Sequence, residues 1–194
     1  MLLLPCLWRC RGCEKLAHAV SAAGAAVALA PAPPPPPQGM SPLLTADLLH
    51  VLRSAGHGDE IAVVDCNFPA ASTATLTASE ELVMLAGADV VETVDAICSV
   101  CPIDFFDESP VVFMAPSEGN PLPAAGAEAH AMGTAVIHKH APGVSVEPLE
   151  RFEFYDRAAD AFAIVQAGSE RRPYANFIIK KGVVGPDGND LKPE

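Results

Sequence analysis

Positive charge is scarce in this sequence: 12 Lys and Arg stand against 24 Asp and Glu in 194 residues, a formal net charge of −12. Nucleic acids and anionic membrane surfaces reward clustered cations, so neither is an expected partner. A small neutral ligand is untouched by that exclusion. No continuous apolar run reaches the roughly 18–20 residues that span a bilayer. A glycine-rich nucleotide loop is missing too, as is any internal repeat. Charged residues make up only 19% of the chain and hydrophobic residues 50%. That balance buries a core and is unlike a disordered chain.

Six cysteines are present, and their placement argues against a disulfide framework. Cys6, Cys10 and Cys13 lie near the start, while Cys66, Cys98 and Cys101 lie in the body of the chain. Unpaired thiols in a reducing, cytoplasmic setting behave as small apolar residues, and that is the expected state. Cys98-Ser99-Val100-Cys101 has the C-x-x-C spacing of a redox pair but lacks a thioredoxin-like context, and Pro102 ends its helix. His138, Lys139 and His140, with His130, invite a metal reading. They read as exposed polar residues on a strand before Pro142-Gly143, and no metal is expected.

Residues 1–39 differ in kind from the rest: Arg9, Arg11 and Lys15 precede an alanine-rich stretch and the run Pro33 to Pro37. They read as a disordered or targeting extension with a proline-rich spacer; a secretory or organellar leader is the alternative to a plain tail. Residues 40–184 read as the folded domain and 185–194 as a flexible tail.

Within the domain, Thr45 is placed to cap a helix over TADLLHVLRSAG, with Gly56 just past its end. Glu60 to Cys66 is a β-branched run that reads as a buried strand. Further strands are expected over Glu81–Leu85, Val111–Ala115, Phe162–Ala167 and Asn176–Lys180. Helices are expected over Asp89–Ser99, 122–138 and Phe154–Ala161, although Gly126 and Gly133 weaken the second of these. Strands alternating with helices give an α/β layered sandwich, a central mixed sheet covered by helices.

Four polar clusters interrupt this framework at element boundaries, where sites form. Gly56-His57-Gly58-Asp59-Glu60 frames an imidazole between glycines, and histidine is the natural proton shuttle near neutral pH. Taken alone, a histidine there also suits a helix C-terminus. Asp65, in Val64-Asp65-Cys66-Asn67-Phe68-Pro69, ends an apolar strand, where a carboxylate needs a partner or a pocket. Arg151-Phe152-Glu153-Phe154-Tyr155 offers a fixed fork of donors, or a surface salt bridge. Pro173-Tyr174-Ala175-Asn176 offers a phenol and an amide, or a simple turn.

Together and in order, GHGDE, VDCNFPA, RFEFYDRA, FAIV and YANFIIKKGV closely resemble the L-fucose mutarotase and D-ribose pyranase family, from about Gly39 to Val184. The resemblance implies a sugar isomerase without a cofactor, exchanging the α and β anomers of L-fucose and of related monosaccharides through ring opening. The pyranose–furanose exchange of ribose and a non-catalytic sugar-binding ring protein are the alternatives. It implies that His57 is the catalytic proton donor and that Asp65, Arg151, Tyr174, Ala175 and Asn176 contact the sugar. It also implies a homo-oligomer, commonly a decamer of stacked five-membered rings. Arg151 stands where ribose pyranases carry histidine. Two departures from the family pattern are Leu85-Ala86-Gly87, where Arg-Asp-Gly is usual, and the divergent stretch 116–144.

Overall fold

The computed structural model describes Pro35 and residues 37–193. The extension expected over 1–39, its three cysteines included, lies almost wholly outside the described residues. Thr45 opens helix α1 (Ala46–Ser54) by accepting the Leu48 amide on its hydroxyl at 3.2 Å. At the other end the Lys181 ammonium donates to the Leu52 and Ala55 carbonyls, at 2.7 and 2.6 Å. Such a cation satisfies carbonyls that the helix leaves without partners.

The order continues β1 (Glu60–Val64), α2 (Ala70–Ala74), β2 (Leu82–Leu85), α3 (Val90–Cys98), β3 (Val111–Ala115), α4 (Ala124–His140), β4 (Val146–Glu150), α5 (Arg151–Ala159), β5 (Ala163–Ala167) and β6 (Phe177–Lys180). The strands form one sheet in the order β2-β5-β1-β6-β3-β4. β6 runs antiparallel to both of its neighbours, and the remaining pairs are parallel. The sheet is therefore mixed, as the sequence predicts.

Strand alternation divides the core in two. Ile61, Val63, Val111, Val165, Phe177 and Ile179 face α1, α3 and α4. Ala62, Val64, Val112, Ile164 and Ile178 face α2 and α5. Each fully buried Val or Ile contributes roughly 1.5–3 kcal/mol, so the central strand β1, buried from Ile61 to Val64, anchors both layers.

Two elements differ from the sequence reading. β4 carries Pro148 and has no buried position, which hides it from a hydrophobic pattern; proline is tolerated because this strand lies at the sheet edge. α2 is one short turn led by Pro69 and has too few residues to show a helical period. His138–His140, expected on a strand, instead form the last turn of α4. There His138 bonds the Val144 carbonyl at 3.0 Å and His140 bonds Asp95 at 2.7 Å. Cys98 and Cys101 are free and buried, and burial pushes the Cys101 thiol up to about 11 and the Cys98 thiol further still.

Candidate functional site

β1, β3 and β4 all end on the same edge of the sheet, and β6 begins there. Ligands of open α/β sheets favour the carboxyl ends of strands, and a cleft opens at this edge. Asp65, Asn67, Phe68, Met114, Arg151, Tyr155, Pro173, Tyr174 and Asn176 line it. Its volume is about 190 Å³, below the roughly 300–1,000 Å³ typical of drug-sized ligands, so the space suits one small ring.

Asp65 follows the last residue of β1 and is 4% exposed. Its Oδ1 accepts the amides of Asn67 and Phe68, at 2.8 and 2.9 Å. Asn176 closes a reciprocal pair with it: the Asp65 amide donates to Asn176 Oδ1 at 2.7 Å, and Asn176 Nδ2 donates to Asp65 Oδ2 at 3.0 Å. Burial raises the Asp65 pKa above its usual value, and these hydrogen bonds oppose that rise. With about four acceptor positions and three donors, the carboxylate keeps one position for a ligand hydroxyl.

Arg151 is the first residue of α5. Glu150, the cap of that helix, accepts the Phe152 amide at 2.6 Å and is itself bonded by Ser117 Oγ. The guanidinium lies 4.7 Å from the centre of the Phe152 ring. Among the described residues, the arginine ion pairs are those of Arg157 with Glu60 and of Arg172 with Glu170 and Asp89; Arg151 makes none. Its donors are left to the cleft, not held in a salt bridge. Tyr155, one helical turn on, stands on the same side and stacks on Phe68 with centroids 5.2 Å apart. Sequence reasoning left Tyr155 out of the site, although its i, i+4 spacing from Arg151 was the signal for including it.

Tyr174 has φ +62°, a left-handed conformation that costs a non-glycine residue about 1–3 kcal/mol. Two bonds hold it there: its carbonyl accepts the Asn176 amide at 2.8 Å and His130 Nε2–H at 2.7 Å. His130 is buried between Phe113 and Phe177, and burial lowers its pKa below the usual 6.5, which keeps the imidazole neutral. α4 reaches this position through two glycines. A Cβ on Gly126 would lie 2.5 Å from the Pro173 carbonyl oxygen, and one on Gly133 would lie 2.4 Å from the Phe177 ring. The glycines that weaken the helix in sequence are what let it approach the loop.

Two expected site residues stand apart from the cleft. The Ala175 side chain is fully buried in the core on the α3 and α4 side of the sheet, so only its backbone is near the cleft edge. His57 lies before β1, at the opposite end of that strand from Asp65. Five residue steps at about 3.3 Å put some 16 Å of strand between the two ends. Within one chain the imidazole does not reach the cleft.

Residues 38–184 match the model of the RbsD / FucU transport protein family. The chain belongs to this family. It is 36% identical over 154 residues to the fucose mutarotase of Danio rerio, covering 77% of this chain and 95% of that one. It is 37% identical over 146 residues to the L-fucose mutarotase of Glaesserella parasuis serovar 5, covering 75% of this chain and 94% of that protein. The crystal structure of the fucose mutarotase from Streptococcus pneumoniae in complex with L-fucose is 33% identical and superimposes with a TM-score of 0.66. That comparison covers 76% of this chain and 99% of the other. The matched segment holds both the cleft and His57.

Proposed function

We propose that this chain is a mutarotase that interconverts the α and β anomers of L-fucose by acid–base ring opening and closure. The observation that carries the reading is the cleft: a carboxylate, an arginine with no ion pair among the described residues, two phenols and a buried amide converge on space for one sugar ring. The fucose-named relatives, and the fucose bound by the Streptococcus pneumoniae protein, support the choice of sugar. Arg151 and Asp65 hold sugar hydroxyls, with Tyr174 and Asn176 beside them; Asn176 acts chiefly by fixing Asp65. Tyr155 and Phe68 give an apolar wall against which a ring face can rest.

Ring opening needs one group to take the proton of the anomeric hydroxyl while another protonates the ring oxygen. Such catalysis is worth on the order of 10²–10⁴-fold, which suits a reaction that already proceeds slowly in water. His57 is the proton-transferring group, and it enters from a second copy of the chain, because its own cleft lies beyond its reach. A phenol of the cleft, Tyr174, serves the ring oxygen. A homo-oligomer is thereby part of the function, and a closed ring of copies gives every cleft a neighbour. The free, buried Cys98 and Cys101 support a reducing, cytoplasmic location.

Saturation-transfer NMR on equilibrated L-fucose, D-ribose and D-galactose tests the reading. Exchange between L-fucose anomers should exceed the buffer rate and lead the series. An H57A protein that exchanges anomers as fast as the unaltered one removes His57 from the mechanism.

A further inference from the structure

The His57 imidazole has two nitrogens, and the structure distinguishes them. Nε2 lies 3.2 Å from Oδ2 of Asp104. The Asp104 side chain is 6% exposed, while that of His57 is 53% exposed. The other carboxylate oxygen, Oδ1, accepts the Phe106 amide at 2.9 Å. Both Asp104 oxygens therefore act as acceptors, and the nitrogen facing them must carry its hydrogen.

Both residues are fastened to the same end of β6. The Asp104 amide donates to the Lys180 carbonyl at 3.1 Å, and Ile103 bridges to Lys181. On the other side the Gly58 amide donates to the Lys181 carbonyl, and the Lys181 amide donates to the Asp59 carbonyl. The turn holding His57 is closed by the Gly56 amide on Asp59 Oδ2 at 2.6 Å. Gly182 is obligatory here, since a Cβ would meet the Ile103 carbonyl oxygen at 2.4 Å. The exposed imidazole is thus carried on a rigid mount and aimed by a buried acceptor 47 residues away in sequence.

We propose that Asp104 is a positioning residue for His57: it holds the Nε2 hydrogen and leaves Nδ1 as the nitrogen that exchanges a proton with the sugar. This rests on the reading of His57 as the proton-transferring group. When the Nδ1 lone pair takes the anomeric hydroxyl proton, the O–H electrons become the carbonyl π bond. The electrons of the bond between C1 and the ring oxygen pass to that oxygen, which takes a proton from the cleft phenol. Reclosure on the other face reverses each transfer and restores both groups. Throughout, the hydrogen stays on Nε2 and is donated to Asp104, so the ring keeps its orientation as its charge changes. A carboxylate that orients an imidazole in this way fixes its tautomer as well as its direction.

The test uses full-length protein labelled with ¹⁵N in its histidine rings, with the His57 signals identified by their loss in H57A. In the unaltered protein His57 should show a protonated Nε2 and an unprotonated Nδ1 at neutral pH. D104A should give a mixture of tautomers and lower kcat for L-fucose anomer exchange at least about tenfold, as removal of an orienting partner typically does. KM should stay within about twofold, because the sugar contacts lie in the cleft of another copy. A protonated Nδ1 in the unaltered protein overturns the proposal even if D104A fails to assemble. So does a D104A protein with normal kcat, or one with reduced kcat and an unchanged tautomer. Undiminished exchange by H57A instead refutes the functional reading and leaves the tautomer measurement standing.

Discussion

A site shared between copies makes a quantitative prediction about mixed assemblies. H57A removes the imidazole that a chain lends to its neighbour, and R151A removes the guanidinium of the chain's own cleft. Arg151 makes no ion pair among the described residues, so its truncation leaves the fold undisturbed. Each variant alone should be nearly inactive at subsaturating fucose. If the two chains are co-expressed in equal amounts and assemble at random, half of the clefts retain Arg151. Half of those face a neighbour with His57, so about one quarter of all clefts are intact. Activity should therefore return to about a quarter of the unaltered level, and it should fall as either chain comes to dominate. Mixing the separately assembled variants without subunit exchange should restore nothing. NMR anomer exchange measures this directly. The physical basis is the roughly 16 Å of β1 between His57 and Asp65, which no side chain can bridge. Co-assembled protein with no more activity than the two variants added together would refute the shared-site reasoning.

Two further outcomes concern the ground on which the cleft is built. Asn176→Ala should destabilise the fold by about 2–3 kcal/mol in denaturant unfolding, because it strips buried partners from both the Asp65 amide and its carboxylate. His130→Phe should fill the slot between Phe113 and Phe177 yet leave the Tyr174 carbonyl with only the Asn176 amide as donor, weakening fucose binding measured by calorimetry. The folded-state pKa of His130 lies below its unfolded value, so its contribution to stability is complete above about pH 6.5 and is lost as the pH falls through the folded-state pKa. Unfolding midpoints measured between pH 7.5 and 5 should show that loss in the unaltered protein, and less of it in His130→Phe.

Much of the fold was legible because each pattern had one local cause. The Thr45 cap, the apolar run of β1 and the amphipathic stretch from Asp89 to Ser99 mark their elements without reference to the rest of the chain. β4 and α2 were hidden, one by an edge position that demands no apolar alternation and the other by its shortness. The divergent stretch 116–144 shows a third limit. Its glycines look like faults in a helix until Gly126 and Gly133 are seen against Pro173 and Phe177.

The sequence by itself determined the layered α/β architecture and offered Asp65, Arg151, Tyr174 and Asn176 as candidates, since strand periods and polar interruptions are local properties; the family resemblance singled them out. Only the tertiary structure decided which of these meet. It joined Asp65 to Asn176 across 111 residues, brought Tyr155 to the wall, and turned the Ala175 side chain away. It also set His57 at the far end of β1 with Asp104 behind it. Strand direction sets the end of the sheet at which a residue emerges, and which strands pair is a long-range outcome that no local pattern encodes.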